Sequence, residues 1–232
     1  MILYPGGHRG RSKGFSLVEL LVVVAVMAVM ASVLLPAIAG FSSTAGRKGA
    51  VNILMNTFEQ ARVAALESGQ TVYVGFADAD IPAQVQDMQY AAFLVFRDAT
   101  DEEKSADAKR KFVILKKWTR LPRNVSFKRV DSSLVPTTTA GSKIQDISYL
   151  KNELGSAFSS WTGNCPVVAF NSSGAVEQPA SNLCLYLYDG YFSGGKENYT
   201  RNNATQNSSA GLFEKISISR YTGRAQLDIT GS

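Results

Sequence analysis

Histidine is almost missing from this chain. The 232 residues contain a single one, His8, and it stands near the start, apart from every segment patterned like a folded core. That excludes a histidine-based metal centre and a Ser-His or Cys-His catalytic pair from the body of the chain. Cysteine is nearly as scarce. Cys165 and Cys184 fit no zinc-ligand spacing, and two thiolates alone rarely hold a structural zinc. No phosphate-cradling glycine loop and no nucleophile elbow is present. Glu102 and Glu103 fall in a charge run rather than an apolar setting that would tune a carboxylate. Asp78 and Asp80 sit beside Pro82 without a full calcium-loop signature. These absences predict a non-enzymatic protein with no cofactor and no metal.

Charge is missing where it matters most. From Leu20 to Gly46 no residue is ionisable, a run that would extend roughly 40 Å as a helix. A bilayer's hydrocarbon core is about 30 Å thick, so the run is long enough to span. Arg9, Arg11 and Lys13 precede it and carry three of the five net positive charges. That bias orients the N-terminus to the cytoplasm, and it leaves the rest of the chain close to neutral. A secretory signal peptide is the rival reading, with Ala37-Ile38-Ala39 as a mimic of a cleavage site. The apolar run is longer than such a peptide needs and continues into helix-forming sequence.

One carboxylate, Glu19, stands at the head of this run. A charge in hydrocarbon is costly, less so near the interface. Either it reaches up to the headgroups, or it meets a cation from another protein. A cut after Gly14 would give Phe15 a free, positive α-amine. A neighbouring subunit could present that amine to Glu19, neutralising both charges and setting the axial register between subunits.

"KGFSLVELLVVVAVMAVM" resembles the prepilin signal of type IV pilins and pseudopilins, with Lys13, Gly14, Phe15 and Glu19 at the matching places. The resemblance implies cleavage between Gly14 and Phe15 by a prepilin peptidase, with Phe15 as the N-methylated end. Phe15 and Glu19 would be the assembly residues. Pro36 matches a proline that often loosens these helices, and a mid-helix proline removes one backbone bond and kinks the helix on elementary grounds.

Beyond the apolar run, Val51, Leu54, Met55, Phe58, Ala61, Ala65 and Leu66 recur at three- and four-residue spacing, while Asn52, Glu59, Gln60 and Glu67 fall elsewhere. That is a helix with one buried stripe, and Gly69 is its expected stop. After Gly69 the pattern turns to strands: 71–76, 90–97, 112–118, 125–130, 167–170, 184–188, 216–220 and 225–229. Residues 171–174 (NSSG) read as a turn, and 221–224 (YTGR) as a hairpin turn with Gly223 free to take positive φ. The stretch 131–160 is poorly patterned, with a short helix expected around Ile144–Leu154 and loop otherwise.

The expected fold is α+β: a long N-terminal hydrophobic helix packed on a C-terminal antiparallel β-sheet or sandwich. The divisions are a leader over 1–14, a helix over 15–68 and a β-rich domain over 69–232. Within the helix, 15–41 is the membrane or filament part and 47–68 the amphipathic part. The segments 53–76, 118–127, 166–176 and 216–227 are similar to the GspH/FimT-like minor pseudopilins, with departures at 98–110, 131–160 and 193–211. The resemblance implies a structural subunit of a type II secretion pseudopilus or a type IV pilus. Its partners would be other pilin or pseudopilin subunits, the prepilin peptidase, and the assembly platform and ATPase. It would sit in the bacterial inner membrane as a single-pass precursor, N-terminus cytoplasmic and globular domain periplasmic.

Three features stay open at the level of sequence. Cys165 and Cys184 lie in or beside expected neighbouring strands and fit either a disulfide or two buried thiols. The segment 109–129 holds Lys109, Arg110, Lys111, Lys116, Lys117, Arg120, Arg123, Lys128 and Arg129 with no acid. It fits solvated strand faces and edge protection, or an anion-binding stripe for DNA with Trp118 and Phe127 available for stacking. The tract around Asn198, Asn203 and Asn207 reads as a polar loop at the domain tip rather than glycan sites. A DNA-binding minor pilin and a non-polymerising single-pass anchored binding module are the alternative functions.

Overall fold

A computed structural model describes residues 16–128, 143–177, 183–200 and 213–228, without the side chains of 33–45 and 143–144. The chain divides into two units, Met1–Ser42 and Ser43–Ser232. Helix α1, Leu17–Ser68, contributes to both.

In the second unit α1 buries one stripe: Ala50, Val51, Leu54, Phe58, Ala61 and Ala65 are shielded from water, while Asn52, Glu59, Gln60 and Glu67 are exposed. Leu66, expected on the stripe, is instead exposed at its edge. The helix stops at Gly69, which takes φ +65° and returns its N–H to the Ala65 carbonyl at 3.0 Å. A residue with a Cβ pays for that left-handed conformation, and glycine does not.

Among the described residues ten strands follow: β1 (Val72–Phe76), β2 (Ala92–Asp98), β3 (Phe112–Arg120), β4 (Val125–Phe127), β5 (Lys143–Asp146), β6 (Asn164–Phe170), β7 (Leu183–Ser193), β8 (Lys196–Tyr199), β9 (Phe213–Ile218) and β10 (Ala225–Asp228). They form two antiparallel sheets. The first runs β3-β2-β1-β6-β5. The second runs β10-β9-β7-β4, with β8 added to the far end of β7. The long helix followed by antiparallel sheets makes the fold α+β, as the strand pattern predicts.

The stripe of α1 packs with Val74, Phe76, Phe93 and Phe170 of the first sheet and Leu185, Leu187, Ile216 and Ile218 of the second in one continuous core. The first sheet is buried on its other face too. There Tyr73, Leu94, Phe96 and Val167 meet Ile147, Leu150, Phe158 and Trp161. A strand covered on both sides needs apolar residues at every position, which is why VYVGF and VVAF read as unbroken apolar runs.

The cover on that second face comes from a stretch expected to be mainly loop. The helix predicted around Ile144–Leu154 is corrected: residues 143–146 are strand β5, paired to β6 through Gln145↔Cys165. A 3₁₀ turn at Ser148–Leu150 and one turn of helix, α3 (Lys151–Leu154), follow. The insertion at 98–110 is also built. It holds helix α2 (Asp101–Ala106), opened by a reciprocal cap: the Glu103 N–H donates to the Thr100 hydroxyl at 3.3 Å, and the Thr100 N–H donates to the Glu103 carboxylate at 2.8 Å. The polar tract from 193 begins as the hairpin β7–β8, not as loop, turned by Gly194 and Gly195 at positive φ. Asn203 and Asn207 lie outside the described residues.

Candidate functional site

Helix α1 begins with a cap built from the residues that follow the expected cut. The Ser16 N–H donates to the Glu19 carboxylate at 3.4 Å, and the Val18 N–H donates to the Ser16 hydroxyl at 3.3 Å. The first N–H groups of any helix lack partners inside it. Ser at the cap with Glu three residues on is a sequence signature for supplying them. Glu19 therefore has a local role in the single chain, holding the helix start beside the site expected for processing. Gly14 and Phe15 themselves lie outside the described residues.

Next to this cap, large apolar side chains face outward around the whole helix. Leu17, Leu20, Leu21, Val24, Met27 and Met30 are all exposed, with Val18, Val22, Val23, Val26 and Val29 between them. A helix apolar all round requires lipid or other protein around it, and exposed apolar area of this extent marks an interaction surface. Among the described residues no helix is long and apolar enough to cross a membrane. The expected span of 15–41 extends past Ser32, where the described side chains stop. The helix itself runs through Pro36, but the loosening expected there falls on side chains outside those described.

Where α1 enters the second unit, Arg47 is the first charge after the apolar run. It donates to Asp189 at 2.8 Å and to Glu214 at 3.3 Å, so one guanidinium ties the helix to β7 and β9. Only 11% of the Arg47 side chain and 6% of the Asp189 side chain is exposed. Sequence reading passed over this anchor, although an arginine closing a long uncharged run was the available signal.

The basic segment is dispersed by the fold. Arg120 pairs with Asp87. The Lys116 ammonium lies 5.3 Å from the Phe93 ring centre, and that of Lys128 lies 3.9 Å from the Phe213 ring centre. Arg110 is half-buried near Tyr149, which donates to Asp107 at 2.7 Å. Lys109, Lys111, Lys117 and Arg123 are exposed, and Arg129 lies outside the described residues. Of the two aromatic residues named for stacking, Phe127 is buried in the main core, and Trp118 is half-buried and stacked on Phe158 at 5.8 Å. Phe127 therefore presents no free face to a base.

Of the disulfide and the two thiols left open by the sequence, the structure shows two thiols. Both cysteines are free, because β6 and β7 are not neighbours: Cys165 belongs to the first sheet and Cys184 to the second. The Cys165 thiol donates to the Phe76 carbonyl at 3.4 Å, and burial, then the nearby Asp78 carboxylate, push its pKa up. Burial raises Cys184 too. Neither is a poised nucleophile. Asp78 accepts from the Asp80 N–H at 3.0 Å, closing a turn. Among the described residues no group of acidic, histidine and cysteine side chains could hold a metal ion.

The capped helix start is thus followed by an apolar helix surface that requires lipid or protein around it. Residues 9–35 match the family profile of the prokaryotic N-terminal methylation motif, so the N-terminal segment carries that motif. Among solved structures the chain is similar to the type IV minor pilin FimU of Pseudomonas aeruginosa strain PAO1, with 13% identity over 81% of this chain and 92% of that one, at a TM-score of 0.40. It is similar also to the minor pseudopilin EpsH from the Type 2 Secretion System of Vibrio cholerae, with 10% identity over 80% of this chain and 98% of that one, at 0.41. Likenesses this distant add nothing to what the N-terminal motif establishes. No curated protein matches the sequence.

Proposed function

We propose that this protein is a structural minor pilin or pseudopilin subunit, carried as a reading by the match of residues 9–35 to the N-terminal methylation motif. The precursor sits in the bacterial inner membrane with its N-terminus in the cytoplasm and its β-rich domain in the periplasm. A prepilin peptidase cuts between Gly14 and Phe15 and methylates the new amine. The assembly platform and its ATPase then draw the apolar helix among the helices of other subunits, into a type II secretion pseudopilus or a type IV pilus.

The energetics favour this course. Each buried Leu, Val or Met side chain contributes about 1.5–3 kcal/mol relative to exposure, and α1 exposes them around its whole girth between Leu17 and Met30. Moving the helix from lipid to a bundle of like helices keeps that burial and adds packing contacts. Glu19 is then the one group in the segment that needs an ionic partner, and the Phe15 amine of a neighbour supplies it.

Mass spectrometry of the N-terminal peptide from native cells is the test. The expected peptide begins with methylated Phe15. A mature chain that still carries Met1, or that starts beyond Ala39, overturns the reading.

A further inference from the structure

We draw no further inference here: the strongest candidate, the aromatic cluster of Trp118, Phe158 and Trp161 on the second face of the first sheet, where both buried indole N–H groups have no hydrogen-bond partner among the described residues, carries nothing because nothing in the structure shows what acceptor would reach them.

Discussion

Gly223, at the tip of the β9–β10 turn, rests its bare α-carbon on the carbonyl of Gly174, and a Cβ there would overlap that oxygen. The Arg62 side chain of α1 closes the junction by donating to the Thr222 carbonyl at 2.7 Å. The two turns visible in the sequence, 171–174 and 221–224, are thus one tertiary contact seated on the helix. Asn171 shapes its own turn by accepting from the N–H groups of Ser173 and Ala175 at 3.0 and 3.1 Å.

Gly223→Ala should therefore destabilise the protein by about 2–4 kcal/mol, from left-handed strain together with overlap against backbone. Gly194→Ala is the control. Gly194 also has positive φ, at +59°, but open space around it, so only strain of about 1–2 kcal/mol applies. Urea unfolding of the two variants measures the difference, and equal losses would refute the packing argument.

Arg47 faces two carboxylates from a site with little water. Arg47→Leu takes the guanidinium away from both, and breaking a buried pair from one side costs about 3–5 kcal/mol. Adding Asp189→Asn to Arg47→Leu should restore part of that loss. Chemical denaturation of the single and double variants checks this, and simple additivity would show that the pair is not coupled.

Acid should loosen the 98–110 insertion. Glu103 accepts both guanidinium N–H groups of Arg97, at 2.7 and 2.8 Å. That pairing first, then the Thr100 backbone N–H, holds its pKa down to about 2 from an ordinary 4.5. A carboxylate whose folded pKa is depressed contributes stability fully present above its unfolded pKa and lost as pH falls through the folded one. Stability should fall between about pH 4.5 and pH 2, and Glu103→Gln should flatten that part of the profile. Unfolding curves across the window decide it.

Glu19→Val separates a polymerising subunit from a simple anchor. The filament reading expects membrane insertion to persist while assembly into pelletable filaments is lost. Unchanged assembly would remove Glu19 from the register between subunits. Glu19→Gln keeps an acceptor for the Ser16 N–H but no charge, so it reports on the ionic role apart from the cap.

Much of the helix was legible in the sequence because its signals are local. Three- and four-residue spacing from Val51 to Ala65 and the stop at Gly69 need no knowledge of the rest of the chain. Strand cores were legible for a similar reason. The edge strand β5 and the short β8 were not, since each exists only through pairing with a distant partner, β6 and the end of β7. The cover of Ile147, Leu150, Phe158 and Trp161 escaped for the same cause: its residues have no period of their own and are ordered by the sheet they protect. Tyr90, expected to open the strand 90–97, instead takes φ +53° in the turn before β2, a conformation set by its contacts and not by its spacing.

The sequence by itself determined the chemistry of the N-terminus, because basic residues, a glycine, a lone carboxylate and an uncharged apolar run act through composition and order along one helix. It also determined the α+β class, through the change from helical to strand patterning after Gly69. Tertiary structure alone decided that Cys165 and Cys184 stay apart, that Phe127 faces inward, and that Arg47 meets Asp189 and Glu214. Those outcomes depend on which strands become neighbours, a choice made by burying apolar faces across long sequence separations and recorded at no single position in the chain.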